Sequence, residues 1–357
     1  MDSTSTPAAA EPGSQPTPSQ LLFTGNGKEY FGIWIVNMLL TLVTLGIYSA
    51  WATVRTKQYF YGHTLLDGHR FDYLATPIQI LKGRLLAVGL FVIYSMISSY
   101  FPLVGAMMAF ALALLVPWMI NQGLKFSMRM TRYRNIRFAF RGNYGEAMVN
   151  FVVLPFVSIF TLYLLMPWVL KRIDAYIHSN IRYGDKPVSV QLQGKEYYAA
   201  ALLVILLGIL TMMLLGLALS LVADININPG ELGAGNFGVF LIVPLYLFVI
   251  SALQGIYQAL IRNHILNNAQ IDEVAEFKST LAPLRYALIL ATNAAAIVLT
   301  AGLAFPWAKV RKVRALAEAT QVVLLPGADH VLDSAQQADS SFAEEAANVF
   351  DVDISLT

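Results

Sequence analysis

The chain of 357 residues is 57% hydrophobic and only 13% charged, with 24 Lys and Arg against 22 Asp and Glu and a formal net charge of +2. So little charge cannot cover a water-soluble globule of this size, so the composition implies a membrane protein, and nucleic acid is not an expected partner. With no cysteine in the chain, disulfides and thiol chemistry are excluded as well.

Residues 1–20 are rich in Ser, Thr, Pro and Ala and lack both a basic n-region and an apolar h-region, so they read as a disordered tail with no cleavable signal. Seven apolar segments follow, near 31–50, 85–101, 104–122, 148–169, 198–222, 237–260 and 286–306; a full span needs about 20 apolar residues. No Lys, Arg, Asp or Glu falls inside them. The expected architecture is an all-α polytopic membrane protein of about seven apolar segments, with a membrane domain over 21–327 and an acidic flexible tail over 328–357. From Ala315 onward there are eight acidic residues and no Lys or Arg.

A stretch at 44–71 organises this domain: the end of an apolar run, a Trp, basic and aromatic residues, then an alternating tail. Similar stretches at 115–140, 165–190 and 303–325 predict internal repeats. Trp51, Arg55 and Tyr59 are spaced by four, as are Trp168, Arg172 and Tyr176, so each trio stacks on one helix face. With Trp118, Trp307 and Arg311 they form a set of interfacial anchors, because Trp and Tyr favour the headgroup level and Arg meets lipid phosphate. The tails that follow, such as Ile136 to Phe140 and Val188 to Leu192, alternate with strand periodicity, and GKEY occurs twice, at 27–30 and 194–197. A small cytoplasmic sheet beneath the helices is therefore expected.

Two topologies satisfy these features. If every apolar segment crosses, the basic stretches at 171–196 and 262–285 lie outside, against the preference of Lys and Arg for the cytoplasm. If 31–50, 148–169 and 286–306 are re-entrant hairpins, every Trp-basic element is cytoplasmic, and only the pairs at 85–122 and 198–260 cross.

The run FTGNGKEYFGIWIVNMLLTLVTLGIYSAWATVRTKQYFY at 23–61, with the later Pro-Trp-basic copies, resembles the YjgN family of bacterial inner-membrane proteins. The resemblance covers roughly 21–327 and implies a multi-pass inner-membrane protein; it implies no reaction, cofactor or catalytic residue.

The residues themselves carry no Walker-type loop, no HExxH and no Gly-x-Ser-x-Gly, and His63, His69, His178 and His264 match no metal motif, so neither an enzyme nor a bound cofactor or metal is expected. Asn37, Asn150 and Asn293 sit early in the three single segments, 6 or 7 residues after Tyr144, Tyr30 or Tyr286. They read either as a polar site within the membrane or as hydrogen-bonding glue between helices. Membrane lipids are the one expected partner class. Two functions follow: transport or permeation of a small solute or lipid, and a non-catalytic scaffold that organises the envelope.

Overall fold

The computed structural model describes residues 18–226 and 236–325. Its base is one antiparallel sheet of eleven short strands: β1 (Pro18–Gln20), β2 (Leu22–Phe23), β3 (Thr64–Leu66), β4 (His69–Tyr73), β5 (Thr131–Tyr133), β6 (Ile136–Phe140), β7 (Ile181–Tyr183), β8 (Lys186–Val190), β9 (Ala269–Ile271), β10 (Ala275–Ser279) and β11 (Thr320–Leu324). From β2 to β11 each strand pairs with the next in the chain, and β1 returns to pair with β11. Leu21, between β1 and β2, donates its N–H to the Thr320 carbonyl at 3.0 Å. The single segment 18–23 thus covers both edges of the sheet, which curls into a near-closed barrel with little free edge.

The tight turns at one end of the barrel follow from their residues. Asp67-Gly68 and Arg134-Asn135 both take positive φ between the paired residues Leu66↔His69 and Tyr133↔Ile136, the geometry of two-residue hairpins that match strand twist. At the other end the connections are helical: α1 (Gly27–Val43) and α2 (Ser49–Gly62); α3 (Pro77–Tyr100) and α4 (Pro102–Arg129); α5 (Tyr144–Met148), a π-helical turn (Val149–Val153), α6 (Leu154–Phe160) and α7 (Met166–Ser179); α8 (Gly194–Asn226) and α9 (Asn236–Asn267); α10 (Pro283–Leu299) and α11 (Phe305–Glu318). Because tight turns alternate with helical excursions around the sheet, each excursion leaves and returns at the same barrel end. Successive helices pack on one another and α11 packs on α1, so a ring of helices stands on the ring of strands.

The expectation of an all-α protein with seven apolar segments is therefore overturned. Among the described residues, four helices are long and apolar enough to cross a membrane, Pro77–Tyr100, Pro102–Arg129, Gly194–Leu217 and Pro244–Asn267. The segments at 31–50, 148–169 and 286–306 are helix–turn–helix hairpins. Each has a first arm of 17 residues, about 25 Å, against a hydrocarbon layer of about 30 Å. Their tips at 44–48, 161–165 and 300–304 share one geometry: Thr44, Thr161 and Thr300 cap the first arm, and each hydroxyl accepts the N–H four residues on. Two positive-φ residues then reverse the chain, Leu45-Gly46, Leu162-Tyr163 and Ala301-Gly302. Backbone groups at the tips are bonded within the loop, as an apolar surrounding demands, while Leu45 (94% exposed) and Leu162 (84%) point outward.

Small residues set the closest helix crossings. A Cβ on Gly255 of α9 would lie 2.6 Å from the Ala287 Cα of α10, so only glycine admits this approach. Of the expected N-terminal tail, residues 18–20 form β1, while 1–17 lie outside the described residues, as do the acidic tail at 328–357 and the loop between α8 and α9.

Candidate functional site

The barrel interior is packed with apolar and aromatic side chains, so it is a core with a small void. Leu66, Tyr133, Tyr183 and Ile271 end the odd-numbered strands β3, β5, β7 and β9 and are all buried. The Tyr183 hydroxyl donates to the Tyr133 carbonyl at 3.1 Å, and the Tyr133 hydroxyl donates to the Leu66 carbonyl at 2.8 Å. Burial pushes the Tyr133 phenol up to about 12 and raises Tyr183 as well, so both are neutral donors at ordinary pH. The remaining space, about 220 Å³, is bounded toward the helices by Arg262 and Leu266 of α9.

Those two residues also line a second cavity of about 330 Å³ above the barrel, which Asp174 and His178 of α7 and Lys312 of α11 enter as well. Asp174 accepts a 2.7 Å hydrogen bond from the Tyr197 hydroxyl; burial raises its carboxyl above the ordinary value, and Tyr197 and His178 pull it partly back. Arg262 donates through Nη2 to Thr320 Oγ1 at 2.9 Å. Its Nε and the Tyr257 hydroxyl are buried with no hydrogen-bond partner among the described residues. Such unpaired groups cost free energy unless a ligand or water meets them.

A third and larger space, a cleft of about 790 Å³, opens between α1, α2 and α11. It is lined by Phe305 and Lys309, and the second cavity by Lys312 and Leu316. Positions 305, 309, 312 and 316 fall on one face of α11 by helical spacing, so one face of one helix fronts both spaces. From cleft to barrel the lining runs through Lys309, Lys312 and Arg262, three cations.

The residues singled out in the sequence divide among different roles. Arg172 lies over the Trp168 ring at 5.7 Å and Arg311 over Trp307 at 5.2 Å, so the four-residue spacing does stack them. Trp51 stacks on Tyr48, whose hydroxyl accepts from Arg55, and Trp118 is exposed. Tyr59 and Tyr176, by contrast, are buried latches. Tyr59 Oη accepts the Asn26 N–H at 2.8 Å, and Tyr176 Oη donates to Asn121 Oδ1 at 2.6 Å and reaches the Asn143 carbonyl at 3.0 Å. Both tie the start of a first arm to its second arm.

Asn37, Asn150 and Asn293 are all buried, and none is hydrogen-bonded to another among the described residues. Asn293 donates to the Ala308 carbonyl at 3.0 Å and accepts from Arg311 at 3.2 Å, and Asn150 accepts from Arg172 at 3.4 Å, each within its own hairpin. Asn37 alone has neither amide atom bonded among the described residues, and it lines the cleft. Lys57, Lys309, Lys312, Asp174 and Arg262 escaped notice in the sequence. The one trace was the i, i+3 pairing of Lys309 and Lys312 below a Trp, which reads equally well as headgroup anchoring.

Four crossing-length helices, three short apolar hairpins and a barrel at their common base define a multi-pass integral membrane protein. The chain belongs to the YjgN family: the family described as "Bacterial protein of unknown function (DUF898)" matches it over residues 18–349. Over 349 residues it is 26% identical to "Inner membrane protein YjgN" of Salmonella typhimurium, an alignment covering 85% of this chain and 88% of that protein. A segment of 120 residues is 37% identical to the Escherichia coli O157:H7 protein of the same name, covering 33% of this chain and 30% of that one. No solved structure matches the chain. The protein is accordingly a multi-pass protein of the bacterial inner membrane.

Proposed function

We propose that this protein moves or admits an anionic small solute or lipid at the ring of helices, with the barrel on the cytoplasmic side. The observation that carries the reading is the succession of cleft, second cavity and barrel void, fronted by Lys309, Lys312 and Arg262 with Asp174 the one carboxylate among them. Fixed cations in a low-dielectric setting favour an anion far more than they would in water. Membrane lipids are the partner, and no catalytic role, cofactor or metal is assigned. The equal arm lengths and shared tip geometry of the three short hairpins support reading the chain as copies of one strand–hairpin–strand unit, and repeat-built transporters place ligands where units meet.

The packed barrel favours the second reading, a scaffold: Tyr133 and Tyr183 fill its interior and leave no wide lumen. The two separate in proteoliposomes carrying fluorescent phosphatidylglycerol in both leaflets, with an external quencher, and in parallel vesicles loaded with inorganic phosphate. Transport predicts protein-dependent loss of lipid fluorescence or release of phosphate, reduced in Lys312→Gln. A wild-type protein that does neither leaves the scaffold.

A further inference from the structure

The cleft between α1, α2 and α11 holds two lysines with no carboxylate partner and an amide with no hydrogen bond among the described residues. Lys57 Nζ lies 3.4 Å from the Tyr73 hydroxyl and 4.7 Å from its ring centroid. Lys309 Nζ lies 3.5 Å from the Tyr30 hydroxyl and 4.7 Å from the Phe60 ring. Neither has a carboxylate partner among the described residues. Aromatic faces hold an ammonium in place without neutralising it, so the positive charge remains available to a ligand. Between them and the hairpin tip lies Asn37, 5% exposed, with both amide atoms unbonded. A buried amide left without partners is costly in an apolar setting, and a ligand oxygen in the cleft removes that cost.

Polarity along the cleft is graded. Lys57 sits two turns below Ser49 at the start of α2, and Lys309 one turn below Phe305 at the start of α11, so both charges lie on the barrel side. Toward the tip the walls are Met38, Leu42, Leu45 and Phe305. Ser49 and Thr53 also line the wall, their hydroxyls accepting from Arg84 of α3, which lies behind that wall and outside the cleft lining. A cleft that is cationic at its base, hydrogen-bonding midway and apolar at its mouth matches a molecule with the same three zones.

We infer that this cleft is a binding site for a phosphate-bearing amphiphile, an anionic phospholipid whose headgroup phosphate sits between Lys57 and Lys309, whose glycerol oxygens face Asn37 and whose chains leave past Leu42 and Phe305. A free phosphate ion shares the headgroup chemistry but has no use for the apolar mouth. This site rests on the same cleft and Lys309 as the transport reading and names a ligand for it; because occupancy is measured with no flux, its failure is distinguishable from a failure of transport.

The test is native mass spectrometry of the full chain released from detergent micelles containing phosphatidylglycerol, phosphatidylcholine or inorganic phosphate. The wild type is expected to retain one phosphatidylglycerol about tenfold or more over phosphatidylcholine, since both lysines favour an anionic headgroup over a zwitterionic one. Lys57→Gln with Lys309→Gln abolishes the preference, while Lys57→Arg with Lys309→Arg keeps it. Asn37→Leu, which leaves both lysines, weakens retention and serves alone if the Gln pair does not fold. Equal retention of the two lipids, or unchanged retention in Asn37→Leu, overturns the site. Binding of inorganic phosphate with no retained phosphatidylglycerol assigns the cations to a free ion and overturns the lipid.

Discussion

Replacing each of the three buried asparagines by leucine separates structural glue from ligand site. Asn293→Leu removes a 3.0 Å bond to the Ala308 carbonyl and a 3.2 Å bond from the Arg311 guanidinium. A neutral bond is worth about 1 kcal/mol and a charge-assisted one about 1.5–3 kcal/mol; because Arg311 keeps Thr292, a net loss of about 2–3 kcal/mol is expected. Asn150→Leu loses one long bond, 3.4 Å, to an exposed arginine and should cost no more than about 1 kcal/mol. Asn37→Leu loses no bond and removes a buried, unsatisfied amide, so it should leave stability unchanged or raise it by about 1 kcal/mol. The assay is unfolding in mixed micelles at rising dodecyl sulfate fraction, followed by fluorescence of the five Trp. If Asn37→Leu destabilises as much as Asn293→Leu, the amide is bonded in the folded protein and the reasoning behind the cleft fails.

The hairpin tips make a second expectation. Gly46 and Gly302 sit at φ +93 and +94, so Gly46→Ala or Gly302→Ala should cost about 1–2 kcal/mol, while Tyr163→Gly, which relieves φ +62 at the matching position, should stabilise by up to about 1 kcal/mol in the same assay. A neutral Gly46→Ala would refute the left-handed turn. Alkali should act on the barrel. Tyr133 is held at about 12 in the folded state against 10.0, so the folded protein keeps a proton that the unfolded chain releases. Its contribution is therefore complete below pH 10 and is lost as pH climbs toward about 12. Tyr133→Phe should flatten stability over that window, and an unchanged alkaline slope would count against burial of the phenol.

That the chain is a multi-pass membrane protein, and that Arg172 meets Trp168 and Arg311 meets Trp307, was legible in the sequence, because hydropathy and four-residue spacing are local properties. The number of crossing segments and their boundaries were not, since short hairpin arms and crossing helices are equally apolar. The barrel was only hinted at. Its strands run from two to five residues, too short for alternation to register, and their partners lie far away: Asp72 pairs with Arg132 across a whole crossing hairpin. Asp67-Gly68 and Gly184-Asp185 are hairpin-turn dipeptides, and reading them together with Arg134-Asn135 would have revealed strands on both sides of each turn. The three asparagines looked equivalent by their distance from a tyrosine, yet the π-helical turn at Val149–Val153 and the partner on the second arm give each a different environment. The cleft was beyond reach from the sequence, since Lys57, Lys309 and Asn37 meet only when the first and last hairpins close the ring.

Closure of that ring on one barrel face is the central claim, and substituted-cysteine labelling tests it directly because the native chain has no cysteine. Single cysteines belong at Arg70, Arg137, Asp185 and Asp272, exposed positions beside successive barrel turns, and at Leu103, exposed at the junction of α3 and α4. In cells with a permeabilised outer membrane, an impermeant maleimide should label Leu103 alone, the four barrel positions reacting only after the inner membrane is opened. Labelling of Asp185 from outside while Arg70 stays protected would mean that the segment at 148–169 crosses, and the single barrel face would be contradicted.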